Sequence, residues 1–149
     1  MAVGPFLSHD TGYASLLGSG DWASYAYYAV LATNSETPDR DTQVDYADIL
    51  AECADGDYAP VALASKAVAE NSNKVSFDCA KINFGATVSI SARYLYILQG
   101  AAASPVSTDE IVGHIDLDGA SNISSVNAEF SFDPATTNGL FEVARTAAP

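Results

Sequence analysis

The chain has 149 residues, of which 48 % are hydrophobic and only 17 % charged, with 19 acidic side chains against six Lys and Arg and a formal net charge of −13. One domain accounts for that length, which buries about two-thirds of its unfolded surface without metals or cross-links. The negative field opposes phosphate backbones and so excludes binding to nucleic acid by counterion release; no apolar run approaches the ~20 residues of a membrane-spanning helix.

The charged fraction is below the roughly 25 % of an ordinary soluble domain. A surface of Ala, Ser, Thr and Asn suits a protein packed against other subunits, and equally a monomer with a small-residue exterior. Cys53 and Cys79 are too few for a disulfide framework or a structural zinc site and read as small core fillers. The N-terminus lacks the basic and long apolar regions of a secretory signal, so the expected site of synthesis is a reducing cytoplasm.

Residues 1–21 hold Gly4, Pro5, Gly12, Gly18 and Gly20 with no sustained period, which predicts an irregular arm. Its large apolar residues, Phe6, Leu7, Tyr13, Leu16 and Leu17, call for a surface, either on a neighbouring subunit or on the chain's own domain. From Ser24, "SYAYYAVLA" is short and rich in Tyr and Val, as in a strand buried on both faces. "TNSETPDRDTQ" is a polar loop. Tyr46, Ile49, Leu50 and Cys53 then fall at helical spacing, with Thr42 or Asp45 as cap and Gly56 as stop, predicting one short amphipathic helix.

The remainder reads as strands between turn signals. Strands are predicted near 60–69 and 74–84, joined by a turn at Asn71 to Asn73, with Val75, Phe77 and Cys79 on one face. Thr87 to Leu98 is the longest, followed by the exposed loop "GAAASPVSTD" and a returning strand from Glu110 to Leu117 with Ile111, Ile115 and Leu117 on one face. Val126, Ala128, Phe130 and Phe132 alternate in the next, and Gly139 to Val143 supplies the last. About seven strands and one small helix make an all-β class, a single-domain β-sandwich of jelly-roll type over residues 22–149 with an irregular N-terminal arm over 1–21.

Little points to catalysis. A Ser-His-Asp set could be drawn through His114 and Asp116, but no serine lies in a nucleophile elbow. "DGD" at Asp55 to Asp57 and "DLDG" at Asp116 to Gly119 resemble fragments of calcium loops without the pattern that orders the ligands, and turn roles explain them. No catalytic residue, metal site or cofactor is expected. Trp22 and Tyr58 are the aromatic side chains least committed to the sheet and could stack on a sugar. Arg93 lies inside the apolar "ISARYLYIL", where a guanidinium needs a partner; Asp116 and Asp118 are the candidates.

Three segments resemble, in order, a family of small virion structural proteins encoded by tailed bacteriophages. They are "YAYYAVLATNSETPDRDTQVDYADI" (Tyr25 to Ile49), "GDYAPVALASKAVAENSNKVSFDCAKINFGATVSISARYLYILQG" and "STDEIVGHIDLDG", with "SARYLYI" and "VGHIDLDG" the most specific pieces. Together they cover most of the chain from about Tyr25 to Gly119. It implies a capsid decoration, or cement, protein: a small β-rich subunit, commonly a homotrimer, that binds the major capsid protein on the outer surface of the virion after synthesis in the host bacterium. A tail or neck component, or a virion-displayed carbohydrate-binding adhesin, are the alternatives. Under the resemblance, Pro5, Phe6, Leu7, Tyr13, Leu16, Leu17 and Trp22 are candidate capsid or subunit contacts, and Arg93 a structural pin.

Overall fold

In a computed structural model, residues 6–9, 22, 25–71, 74–134 and 140–144 are described. The fold is all-β, built from antiparallel sheets. Strands β1 (Phe6–Ser8), β2 (Ala26–Ala32), β3 (Val61–Ala62), β8 (Tyr94–Gly100) and β9 (Glu110–Asp116) form a five-stranded sheet in the order β1-β9-β8-β2-β3. The others are β4 (Ala67–Asn71), β5 (Lys74–Asp78), β6 (Ile82–Val88), β7 (Ser91–Ala92), β10 (Ile123–Ser124), β11 (Ala128–Phe132) and β12 (Phe141–Ala144). They pair as β12-β5-β4, β11-β6 and β10-β7.

Both faces of the central strands are covered, which is why β2, and β8 up to Gln99, are apolar on both sides rather than alternating. One face, with Tyr27, Ala29, Leu31, Leu95 and Ile97, packs against Phe77, Ile82, Phe84 and Phe130 of the smaller sheets. The other, with Tyr28, Val30, Tyr94, Tyr96 and Leu98, is covered by Tyr46 and Ile49 from the connection after β2.

That connection departs from the expected amphipathic helix: only Tyr46–Asp48 is helical, a single 3-10 turn. Ile49 and Cys53 are buried as the spacing implied, but Leu50 is 87 % exposed. Asp39 Oδ1 accepts the amides of Asp41 and Thr42 (2.9 and 3.2 Å), and Asp48 Oδ2 those of Val44 and Asp45 (2.8 and 3.0 Å), which caps the turn at its start. The amides that would carry a helix onward bond elsewhere: Ala51 N–H donates to Glu36 Oε2 at 2.6 Å and Cys53 N–H to Leu31 O at 2.8 Å.

The expected long strand from Thr87 to Leu98 is also divided. Ile90 and Ala92 share a core with Leu95 and Ile97, whereas Tyr94, Tyr96 and Leu98 face the opposite way, so the alternation slips by one residue at Arg93. Backbone bonds hold the slip: Arg93 N–H donates to Ala32 O and Leu117 N–H to Arg93 O, each at 2.8 Å. A second slip lies in β9, where Ile97 pairs with Gly113 but Leu98 with Ile111, leaving Val112 as the extra residue of a bulge. It turns Ile111 to one face and Val112 and Ile115 to the other, against the single face expected for Ile111, Ile115 and Leu117.

Residues 6–8 of the expected arm are strand β1, which pairs with β9 with Leu7 opposite His114. Phe6 stacks on Phe141 at 4.5 Å, so this part of the chain folds back on its own domain. Pro5, Tyr13, Leu16 and Leu17 lie outside the described residues. Trp22, taken from sequence as a contact or sugar platform, is instead core: it is 1 % exposed, its Nε1 donates to Asp78 O at 2.8 Å, and its ring meets Tyr27, Phe77 and Phe141.

Candidate functional site

Beneath the connection after β2, the sheet face carries a buried polar cluster. Loop residues Glu36 and Gln43 supply one side, β8 supplies Tyr96, β9 supplies His114, and the residue after β1 is His9; all five are buried. His9 Nδ1 lies 2.9 Å from the Gln43 carbonyl oxygen and His9 Nε2 lies 3.0 Å from His114 Nδ1. Gln43 Oε1 accepts from Tyr96 Oη at 3.2 Å and from the Asp39 amide at 3.1 Å. Its Nε2 donates to Glu36 Oε1 at 2.8 Å and to Asp48 O at 3.1 Å, and Glu36 Oε2 accepts the Ala51 amide at 2.6 Å. Every polar atom of the Gln43 amide is engaged, and the cluster clamps the connection to the sheet and to β1.

Burial lowers the pKa of His114 to about 4, with His9 and Arg40 acting in the same direction and Asp116 against them. Burial raises that of Tyr96. An open cleft of about 430 Å3 borders the cluster, edged by Glu36, Asp39, Asp48 and the exposed Leu50. Its carboxylates are those already holding backbone amides.

A hydrolytic triad does not assemble. Asp116 is turned away from the imidazole toward Arg93, whose Nη2 lies 2.8 Å and Nε 3.2 Å from its carboxylate. Nδ1 of His114 is taken by His9, and no described serine is bonded to the ring. Among the described residues no group of three or more His, Cys, Asp or Glu is placed to hold a metal ion. The two calcium-like fragments act as backbone clasps. Asp55 and Asp57 accept the amides of Ser91 and Ser89 (2.7 and 3.0 Å), and Asp116 Oδ1 accepts that of Gly119 at 2.7 Å.

Arg93 occupies the place its sequence setting implied. Besides Asp116, it donates to Gly119 O at 3.0 Å and lies 4.8 Å from the Tyr94 ring centre. The hydrogen bond from Arg93 holds the Asp116 carboxyl below the usual carboxylate range, and the same bond raises the guanidinium. The pin therefore sits where the strand phase slips and ties the start of β8 to the turn after β9.

Tyr58 is partly buried against the core with its ring 6.2 Å from that of Phe84, and its hydroxyl donates to Glu52 Oε1 at 2.8 Å and accepts the Leu31 amide at 3.1 Å. Tyr46 donates to the other oxygen of Glu52 at 2.7 Å. "GAAASPVSTD" is an exposed loop as expected between its two ends: Gly100 is buried at the end of β8, and Asp109 is buried and accepts the Val106 amide at 2.9 Å. His9, Glu36 and Gln43 were missed by sequence reasoning; His9 and His114 are separated by 105 positions, and no local pattern joins them.

Comparison with protein-family models, with curated proteins and with solved structures finds no match to this chain.

Proposed function

We propose that this chain is a bacteriophage capsid decoration protein, a structural subunit that binds the outer face of the head at capsomer junctions as a homotrimer and stabilises it. The observation that carries the reading is the packing of its two most specific resemblance segments as one unit. "SARYLYI" and "VGHIDLDG" form the adjacent strands β8 and β9, and the charged residue of the first is bonded to an acidic residue of the second. The polar groups of the buried cluster bind one another and the backbone, as scaffolding does. Strong negative charge suits a neutral or basic shell surface, and Leu50 and Val126, 87 % and 75 % exposed, are apolar groups available to it.

The physical effect is linkage. A subunit that binds the assembled shell and not its free components stabilises the shell by about 2.7 kcal/mol per site at a hundredfold excess over Kd. Purified protein mixed with undecorated heads is expected to co-sediment at a fixed stoichiometry and raise the temperature of head disruption. Recovery entirely in the supernatant, with unchanged disruption, would refute the reading. Replacing Tyr13, Leu16 and Leu17 by Ser, which leaves β1 and His9 in place, is expected to weaken that binding, and unchanged co-sedimentation would remove their contact role.

A further inference from the structure

The five-stranded sheet and the β6–β11 pair face each other with apolar side chains, yet they do not fill all the space between them. Leu31 of β2 and Leu95 of β8 stand on one side, and Phe84 of β6 with Phe130 and Phe132 of β11 on the other. Leu117, just after β9, and Ile123 of β10 complete the apolar wall, and with Ser131 these residues line a cavity of about 190 Å3. Its depth is closed, since Leu31, Phe84, Leu95, Leu117 and Phe130 are all buried. Its mouth lies at Ile123 and Phe132, which are half-buried, and at the exposed Ser131.

Strand β11 accounts for the space. Its pairing with β6 changes register on both sides of Phe130. Phe130 pairs with Gly85, so β6 contributes no side chain at that position. A regular strand turns alternate residues to one face, whereas Phe130, Ser131 and Phe132 all border the cavity, as in a strand bent by its irregular pairing.

The lining decides what can enter. Ser131 carries the one polar side chain among the described lining residues, and its hydroxyl donates to Glu129 Oε1 at 2.6 Å. Aliphatic and phenyl side chains offer nothing to a buried water, which needs about two to four polar partners. A charged group would lose its hydration without a partner to replace it. An apolar cavity of about 150 Å3 lined by Leu, Ile and Phe stays dry and takes up benzene or xenon. The rings of Phe84 and Phe130 already meet edge to face with centres 6.0 Å apart, and a third ring between them and the leucines can pack in the same manner.

We propose that this cavity is a binding site for a small, neutral, apolar molecule about the size of a benzene ring, which enters between β10 and β11 and seats against Phe84 and Phe130. The site stands on packing and is independent of the capsid reading. A guest that binds the folded chain and not the unfolded one stabilises the fold by linkage, so its uptake is read in the melting temperature as well as in spectra.

Titration of the full chain with benzene, followed by methyl NMR and by Tm, tests this. Saturable shifts of the Leu31, Leu95, Leu117 and Ile123 methyls are expected, with a Tm that rises with benzene concentration. Benzoate, the same ring with a charge, is expected to bind at least tenfold more weakly. Leu117→Phe fills the cavity from within and is expected to weaken benzene binding at least tenfold while the amide spectrum away from the cavity is kept. Methyl shifts that do not saturate, or that persist undiminished in Leu117→Phe, would overturn the site, as would benzoate binding as tightly as benzene. If Leu117→Phe does not fold, crystals of the wild type under xenon pressure decide: xenon density between Leu95 and Phe130 supports the site, and none there overturns it.

Discussion

Replacing Gly113 by Ala tests whether β1 belongs to the sheet. A Cβ built there lies 2.5 Å from the Leu7 carbonyl oxygen and closer still to the Phe6 ring. A flexible side chain could yield, but a backbone oxygen moves only with its strand. The backbone at Gly113 is not the obstacle, since among the described glycines only Gly85 and Gly119 have positive φ. The chain has two responses. Squeezing the extra methyl between strands costs about 1–3 kcal/mol. Undocking β1 forfeits the Phe6–Phe141 stack, about 0.5–1.5 kcal/mol, together with ladder hydrogen bonds at about 1 kcal/mol each. Against either, Ala restricts the unfolded chain and returns about 0.4–1 kcal/mol. A net loss of about 1–2 kcal/mol follows, which lowers Tm by about 2–8 °C in a chain of this size. Calorimetry and urea melts measure it. A variant whose Tm and urea midpoint equal those of the wild type would mean that β1 does not lie against Gly113.

Arg93→Ala is expected to lower Tm and trimer yield, with Arg93→Lys rescuing only in part because an ammonium cannot reproduce the fork; normal assembly and melting would show the pin dispensable. Glu36→Gln leaves the Ala51 amide and the Gln43 side chain poorly paired and should cost about 1–3 kcal/mol in a urea melt, with no loss contradicting the clamp. Global stability should also fall on acidification. His114 is neutral when folded and has a depressed pKa, so its contribution is complete above pH 6.5 and is lost as pH drops toward 4, about 3 kcal/mol in all. Denaturant titrations of wild type and His114→Gln isolate that share, and equal pH dependence in the two would contradict it. Leu50→Ser should leave Tm within 1 °C or so, because the side chain is 87 % exposed, and a large loss would place Leu50 in a core.

Much of the architecture was legible because the strands announce themselves by composition. "SYAYYAVLA" is apolar on both faces and became the doubly covered β2; the β4–β5 hairpin places Asn71 opposite Lys74, where a turn was read. Arg93 was legible because a charge in an apolar strand needs a partner, and Asp116 is that partner. What escaped was phase. Period-two reading carries a strand's faces past any slip, so the break at Arg93 divided the single strand expected from Thr87 to Leu98, and the bulge at Val112 turned Ile111 away from Ile115 and Leu117. The helix over Tyr46 to Cys53 failed because long-range partners claimed the amides it needs: apolar spacing was right for Ile49 and Cys53, yet the Ala51 amide goes to Glu36 and that of Cys53 to the Leu31 carbonyl. The buried cluster was invisible because its parts come from four separate stretches and meet only through the fold.

An averaged density map of purified particles tests the central claim most directly. The account predicts a trimeric, β-rich density of this shape on the outside of the head at capsomer junctions. Its absence from the shell, or its location in the tail or neck, would contradict the claim.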